Sequence, residues 1–94
     1  MQKTVFVVDD SITNLGVAEA ALEKHYRVIT MTSAAKMFEL LEKVKPDLIL
    51  LDVAMPEMNG FDAMKLLKAH ESHAPIPVMF LTALQDSYNE AYGI

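Results

Sequence analysis

The amino-acid sequence predicts an α/β fold built on a doubly wound parallel sheet, and two patterns support this prediction. Short apolar or β-branched runs alternate four times with segments whose apolar residues recur at helical spacing. In addition, the run 48–51 contains four consecutive apolar residues, as expected for a strand that is covered on both faces. With 94 residues, the chain is expected to form one small domain, 1–94.

Each element of the alternation has its own pattern. The predicted strands are Thr4–Val8, Arg27–Met31, Leu48–Leu51 and Ile76–Thr82. The apolar positions of the predicted helices are Leu15, Ala18, Leu22 and Tyr26 in the first, Ala34, Met37, Phe38, Leu41 and Val44 in the second, and Phe61, Met64 and Leu67 in the third. Ser11 and Ser33 are placed to cap the first two helices, and Pro46 is expected to end the second. A capping box at 87–90 predicts the start of a fourth helix.

Composition and charge exclude several function classes. The net charge is −5 and lysine and arginine are scattered, so we expect no direct binding to nucleic acid. The first apolar run is too short, and too soon followed by aspartates, for a signal peptide or a membrane span. The sequence contains no cysteine, which excludes disulfides and thiolate metal sites. We therefore expect a cytoplasmic protein that does not enter a membrane.

Three aspartates follow predicted strands directly. Asp9 and Asp10 come after the first strand and Asp52 after the third. In a doubly wound sheet these two strands are neighbours at the switch point, so the carboxylates are expected to converge. Either a shared proton or a hard cation must then relieve their repulsion, and oxygen ligands alone favour Mg²⁺. Thr82, at the end of the fourth strand, would add a hydroxyl donor, and such a set is suited to phosphoryl transfer.

Three segments together resemble the receiver domain of two-component response regulators. They are Val7–Ser11, Pro46–Gly60 and Pro77–Ala83, in this order and at this spacing, and the resemblance covers the whole chain. It implies a flavodoxin-like topology. It also implies that the chain exchanges a phosphoryl group with a sensor histidine kinase or a histidine phosphotransfer protein.

The resemblance also assigns roles to individual residues. It implies that Asp52 is the phosphoacceptor and Thr82 the switch hydroxyl. Asp10 would bind Mg²⁺ directly and Asp9 through water, and the carboxylate of Asp52 and the backbone carbonyl of Ala54 would be further metal ligands. The chain would assist its own phosphorylation without being a turnover enzyme.

The sequence departs from the family pattern at its end. The family continues with a fifth strand that carries a phosphoryl-contacting lysine, and then with a fifth helix. Neither is present here, so we expect a receiver domain truncated after the fourth βα unit. Val78–Leu81 would then form an exposed apolar edge and drive self-association through the fourth strand. Because Ala54 and Leu84 offer no polar group to orient water, we expect slow hydrolysis of the phosphoryl group.

Alternative functions remain open at this point. The first is a truncated receiver that is not competent for phosphorylation and acts as a self-association or partner-binding module. A second is a Mg²⁺-dependent phosphatase with an aspartyl nucleophile, but that class needs a second aspartate where Ala54 stands. Finally, Asp9 and Asp10 could be a helix cap with a solvated charge, and Asp52 could simply start a turn.

Overall fold

Strands and helices alternate along the chain in the computed structural model, which describes residues 2–81. The elements are β1 (Lys3–Val8), α1 (Ile12–Leu22), β2 (Tyr26–Met31), α2 (Ala34–Leu41), β3 (Leu48–Asp52), α3 (Gly60–Ala69) and β4 (Val78–Leu81). The predicted alternation is confirmed over this range. Thr82, Leu84 and the predicted fourth helix lie outside the described residues.

All strand pairs in the sheet are parallel, and the strand order is β2-β1-β3-β4. β1 therefore lies between β2 and β3, with Val8 paired to Leu51. This order confirms the doubly wound, flavodoxin-like topology, because the chain moves from β1 first to one side of the sheet and then to the other. Its consequence for function is that the carboxyl ends of β1 and β3 lie side by side.

Helices cover both faces of the sheet, and this explains why β1 is apolar without alternation. Phe6 and Val8 are buried in the core beneath α2 and α3. Val5 and Val7 face the opposite way and pack with Leu15 of α1. The sequence of a strand that is covered on both faces is a continuous apolar run. In a strand with one solvent-exposed face, apolar and polar residues would alternate.

The predicted serine caps of the first two helices are confirmed. Ser11 has an extended backbone, and its Oγ accepts the Asn14 backbone N–H at 3.2 Å. Ser33 does the same for the N–H of Lys36, also at 3.2 Å. Each serine satisfies one of the backbone donors that the first helical turn leaves free. The Ser11 cap directly follows Asp10 and fixes the start of α1 at Ile12.

Two sequence predictions of helix ends are wrong. Tyr26 does not extend the apolar face of α1; it begins β2 and pairs with Lys3, because the parallel ladder needs a strand here and the helix has ended at Leu22. α2 ends at Leu41, well before Pro46. The Lys43 and Val44 backbone N–H groups both donate to the carbonyl of Leu40 at 2.9 Å, which closes the final turn early.

None of the helices within residues 2–81 has the length and apolar character that crossing a bilayer requires.

Candidate functional site

Three carboxylates meet at the carboxyl ends of β1 and β3. Asp9 and Asp10 follow β1 directly, and Asp52 is the last residue of β3. One carboxylate oxygen from each lies within 4.8 Å of the other two. Asp9 and Asp52 are only 3% and 5% exposed, whereas Asp10 faces solvent. The strand order thus brings together the aspartates singled out in the sequence, with two of them buried at one open edge.

The Asp9 carboxylate is held by a donor on each oxygen. The backbone N–H of Ser11 donates to Oδ1 at 2.8 Å, and Nδ2 of Asn14 donates to Oδ2 at 3.2 Å. The Asp9 backbone N–H also donates to the Met31 carbonyl at 3.1 Å, which extends the contact with β2 past the end of β1. Sequence reasoning missed Asn14. Its position in the first turn after the Ser11 cap was the only available signal.

The surroundings of Asp52 perturb its ionisation. Burial is the largest cause and the negative charge of Asp9 the second, and together with Asp10 they raise the pKa of Asp52 from 3.8 to about 6. A backbone hydrogen bond from Ala54 acts in the opposite direction. Above pH 6 the folded chain therefore holds a carboxylate that its surroundings disfavour, and a bound cation would relieve this repulsion.

The loop after β3 returns to Asp52 at Gly60. The Gly60 backbone N–H donates to the carbonyl of Val53 at 2.8 Å. A Cβ at position 60 would collide with the backbone carbonyl of Asp52 and would lie 2.9 Å from Cα of Val53. Only glycine permits this approach, so the start of α3 is fixed directly against the residue that carries the candidate chemistry.

The same loop contains a strained backbone conformation. Glu57 has a φ of 68°, in the left-handed region that side chains disfavour. It lies at the centre of a three-residue turn that the Met58 N–H closes on the Pro56 carbonyl at 2.7 Å. The loop then enters α3 through Asn59, whose Oδ1 accepts the Asp62 N–H at 2.9 Å. The segment between Asp52 and α3 is thus held at both ends.

Ala54 and Thr82 are the two other site residues that the sequence analysis singled out, and their roles stay predictions. Ala54 is exposed beside the cluster and contributes its N–H to Asp52, while the role of its carbonyl as a metal ligand stays a prediction. Leu81 pairs with Asp52 in the sheet, so β4 ends beside the acidic edge. Thr82 is the next residue and lies outside the described range, so its switch role also stays a prediction.

The donor set fits Mg²⁺. Every candidate side-chain ligand is a carboxylate oxygen, which is the ligand type that hard divalent cations prefer. The carboxylates come from two adjacent strand ends, and one of them is solvent-exposed. This arrangement leaves the open side of the cluster accessible to water and to a phosphoryl oxygen, as is common for Mg²⁺ sites.

Comparisons with known proteins agree with this geometry. The family model described as "Response regulator receiver domain" matches residues 5–92. Over 90 residues the chain is 32% identical to Protein PilH of Pseudomonas aeruginosa, covering 95% of this chain and 74% of PilH. Over 92 residues it is 35% identical to a probable cyclic di-GMP phosphodiesterase of Vibrio cholerae, covering 98% of this chain and 21% of that protein. The chain thus spans about a fifth of that second relative.

A solved structure extends the comparison to three dimensions. The N-terminal domain of a response regulator receiver protein from Methanoculleus marisnigri is 37% identical, with a TM-score of 0.83. The match covers 97% of this chain and 76% of that one. From the parallel sheet, the three aspartates at its edge and these matches, we conclude that the chain belongs to the response regulator receiver domain family of two-component systems.

Proposed function

We propose that this chain accepts a phosphoryl group on Asp52 from a phosphohistidine donor in a Mg²⁺-dependent reaction. The observation that carries the proposal is the convergence of Asp9, Asp10 and Asp52, with Asp52 buried at the end of β3. Membership of the receiver family supports the donor class, namely a sensor histidine kinase or a histidine phosphotransfer protein.

The proposed step is a displacement at phosphorus. A carboxylate oxygen of Asp52 forms a bond to the phosphorus as the phosphorus–nitrogen bond of the donor breaks. The imidazole nitrogen keeps the electron pair of that bond and takes up a proton from solvent, and Asp52 becomes an acyl phosphate. No redox partner is needed. The nucleophile must be ionised, and a pKa of about 6 leaves Asp52 mostly ionised at pH 7.

The residues around Asp52 are proposed to bind the cation and to respond to the phosphoryl group. In this proposal Asp10 would hold the cation directly and Asp9 through water, and the Asp52 carboxylate and the Ala54 carbonyl would be the further protein ligands. Bound Mg²⁺ would neutralise charge on the phosphoryl oxygens. Thr82 would then donate a hydrogen bond from its hydroxyl to a phosphoryl oxygen. The resulting change at the protein surface would alter which partner binds. We propose that the chain does not turn over substrate and that the exchange occurs in the cytoplasm.

Intact-mass spectrometry after incubation with acetyl phosphate tests this proposal. We expect one added phosphoryl group with Mg²⁺ present, none with excess chelator, and none in Asp52→Asn. Asp62→Asn is the matched control, because Asp62 is an exposed aspartate in α3 outside the cluster. A folded chain that takes up no phosphoryl group would refute the proposal and favour a partner-binding module. Turnover of simple phosphoesters would instead indicate a phosphatase.

A second candidate function is self-association through β4. Within residues 2–81, β4 forms one edge of the sheet and all four of its residues are apolar. Met79 is 59% exposed. Unpaired strand edges of this kind recruit other chains. In sedimentation the fraction of dimer should rise with protein concentration and should be lower for Met79→Lys. A monomer at every concentration would refute this candidate.

A further inference from the structure

We infer that Asn14 is a positioning residue for the cation site, acting by fixing the plane of the Asp9 carboxylate. The contact is the 3.2 Å hydrogen bond from Nδ2 of Asn14 to Oδ2 of Asp9. This inference rests on the proposed function, because it concerns the same Mg²⁺ site. It adds to that proposal a residue from outside the acidic cluster.

The two donors on Asp9 act on different oxygens, and this is what fixes the carboxylate. The Ser11 N–H holds Oδ1 at 2.8 Å but leaves the group free to pivot about that single contact. Rotation of an aspartate carboxylate about its last bond has only a broad, two-fold preference. The second bond, from Asn14 to Oδ2, removes this remaining freedom. Asp9 is buried, so water has little access to replace the lost donor.

An amide is well suited to this place in the structure. An ionised carboxylate only accepts hydrogen bonds, so the Asn14 amide must turn its NH₂ group toward Asp9. The donor is neutral and leaves the negative charge of the three aspartates uncancelled. A lysine here would compete with the cation, and an aspartate would add a fourth repelling charge. Asparagine orients Asp9 without reducing the attraction for a divalent ion.

Orientation matters because Mg²⁺ is demanding about geometry. It requires near-ideal octahedral coordination and keeps several waters, so a carboxylate that holds one of those waters must point correctly. Residues that orient metal ligands without touching the metal typically change affinity by about 10–100-fold. We therefore expect Asn14→Leu to weaken Mg²⁺ binding by about tenfold or more.

We expect Asn14→Leu to leave the fold in place. Leucine has nearly the shape of asparagine and a higher helix propensity. The cap of α1 uses the backbone N–H of residue 14, which donates to Ser11 Oγ and is present with any side chain except proline. Thr13→Leu is the matched control, because Thr13 is exposed on the same helical turn. Asn14→Gln keeps an amide donor and serves as the rescue variant.

The experiment is a Mg²⁺ titration of the ¹⁵N-labelled chain, followed at the Ser11 amide that donates to Asp9. We expect the Kd to rise about tenfold in Asn14→Leu, to stay unchanged in Thr13→Leu, and to recover in Asn14→Gln. At saturating Mg²⁺, phosphoryl uptake by Asn14→Leu should return to the level of the unaltered chain. A general loss of structure would lower phosphoryl uptake even at saturating Mg²⁺, whereas the loss of a positioning contact should raise only the Kd for Mg²⁺.

The outcomes separate the inference from the proposed function. If the unaltered chain binds Mg²⁺ and Asn14→Leu binds it equally well, the inference is overturned and the proposed site stands. An equal loss in the leucine and glutamine variants also overturns it, since the amide donor would then be irrelevant. If the unaltered chain shows no Mg²⁺ binding, both the inference and the proposed function fall.

Discussion

Replacing Asp52 with asparagine should make the metal-free chain more stable. The substitution keeps the shape of the side chain and removes a charge that is buried beside Asp9 and Asp10. The surroundings raise the pKa of Asp52 from 3.8 to about 6, mainly through burial. The ionised form is therefore disfavoured in the folded chain relative to the unfolded chain, and asparagine avoids that cost.

The size of the effect follows from the two pKa values. At about 1.4 kcal/mol per pKa unit, the rise in the pKa of Asp52 sets an upper bound of about 3 kcal/mol on the increase in the free energy of unfolding caused by Asp52→Asn. Solvent at the open edge of the sheet screens part of it, so we expect about 1–2 kcal/mol. The raised pKa means that the folded state binds the proton more tightly. The penalty is therefore full above pH 6, shrinks as the pH falls through 6, and disappears below 3.8.

Urea denaturation followed by circular dichroism measures this difference. The unaltered chain and Asp52→Asn should be compared with chelator present, at about pH 8 and at about pH 4.5. The difference between their free energies of unfolding at about pH 4.5 should be about a third of its value at about pH 8. Glu71→Gln is the control, because it removes one negative charge from an exposed turn and should change stability by less than about 0.5 kcal/mol. A gap that is absent at high pH, or that does not change with pH, would refute the electrostatic reasoning.

Four further predictions concern the scaffold, each measured by denaturation. Gly60→Ala should destabilise the chain by about 1–3 kcal/mol, because its Cβ meets backbone. Gly16→Ala, with nothing within 4 Å of the added Cβ, should stabilise it by about 0.5–1 kcal/mol. Glu57→Gly should stabilise it by about 0.5–1 kcal/mol, because glycine tolerates the positive φ. Lys68→Met should destabilise it by about 1 kcal/mol, because Nζ donates to carbonyls of the α3–β4 connection at 2.8 and 3.4 Å. The control for the last is Lys65→Met, also on α3.

Each of these predictions has a contradicting result. Equal effects of the two glycine substitutions would mean that the loop can move away from Asp52. Destabilisation by Glu57→Gly would show that the side chain of Glu57 contributes more than the strain of its backbone. Equal losses from the two lysine substitutions would assign the effect to charge on α3 and not to the carbonyl contacts.

The sequence predicts the fold well because its signals are local and repeated. The continuous apolar runs of β1 and β3 indicate strands that are covered on both faces, and that coverage is observed. The doubly wound strand order places β1 beside β3, so the proximity of Asp9, Asp10 and Asp52 follows from their positions at the ends of these strands. A residue at the end of a buried strand has few possible locations.

Features that depend on tertiary geometry were not predictable in the same way. Tyr26 fits both a helical spacing and a strand, and only pairing with β1 decides between them. The early end of α2 depends on backbone bonds to Leu40 that no composition rule specifies. The contact of Asn14 with Asp9 depends on how the first turn of α1 lies against the end of β1. The positive φ of Glu57 belongs to the tight turn that the Met58 N–H closes on the Pro56 carbonyl, and glutamate itself gives no such signal.

Fluorine NMR of the chain with beryllofluoride asks whether Asp52 forms a phosphoryl site, because this compound mimics a phosphoryl group on a carboxylate. With Mg²⁺ present, we expect a bound fluorine signal that is lost with chelator and in Asp52→Asn, and is retained in Asp62→Asn. A folded chain that gives no bound signal with Mg²⁺ would show that Asp52 does not accept the phosphoryl mimic. It would mean that the three aspartates at the sheet edge do not form a phosphoryl site in this chain.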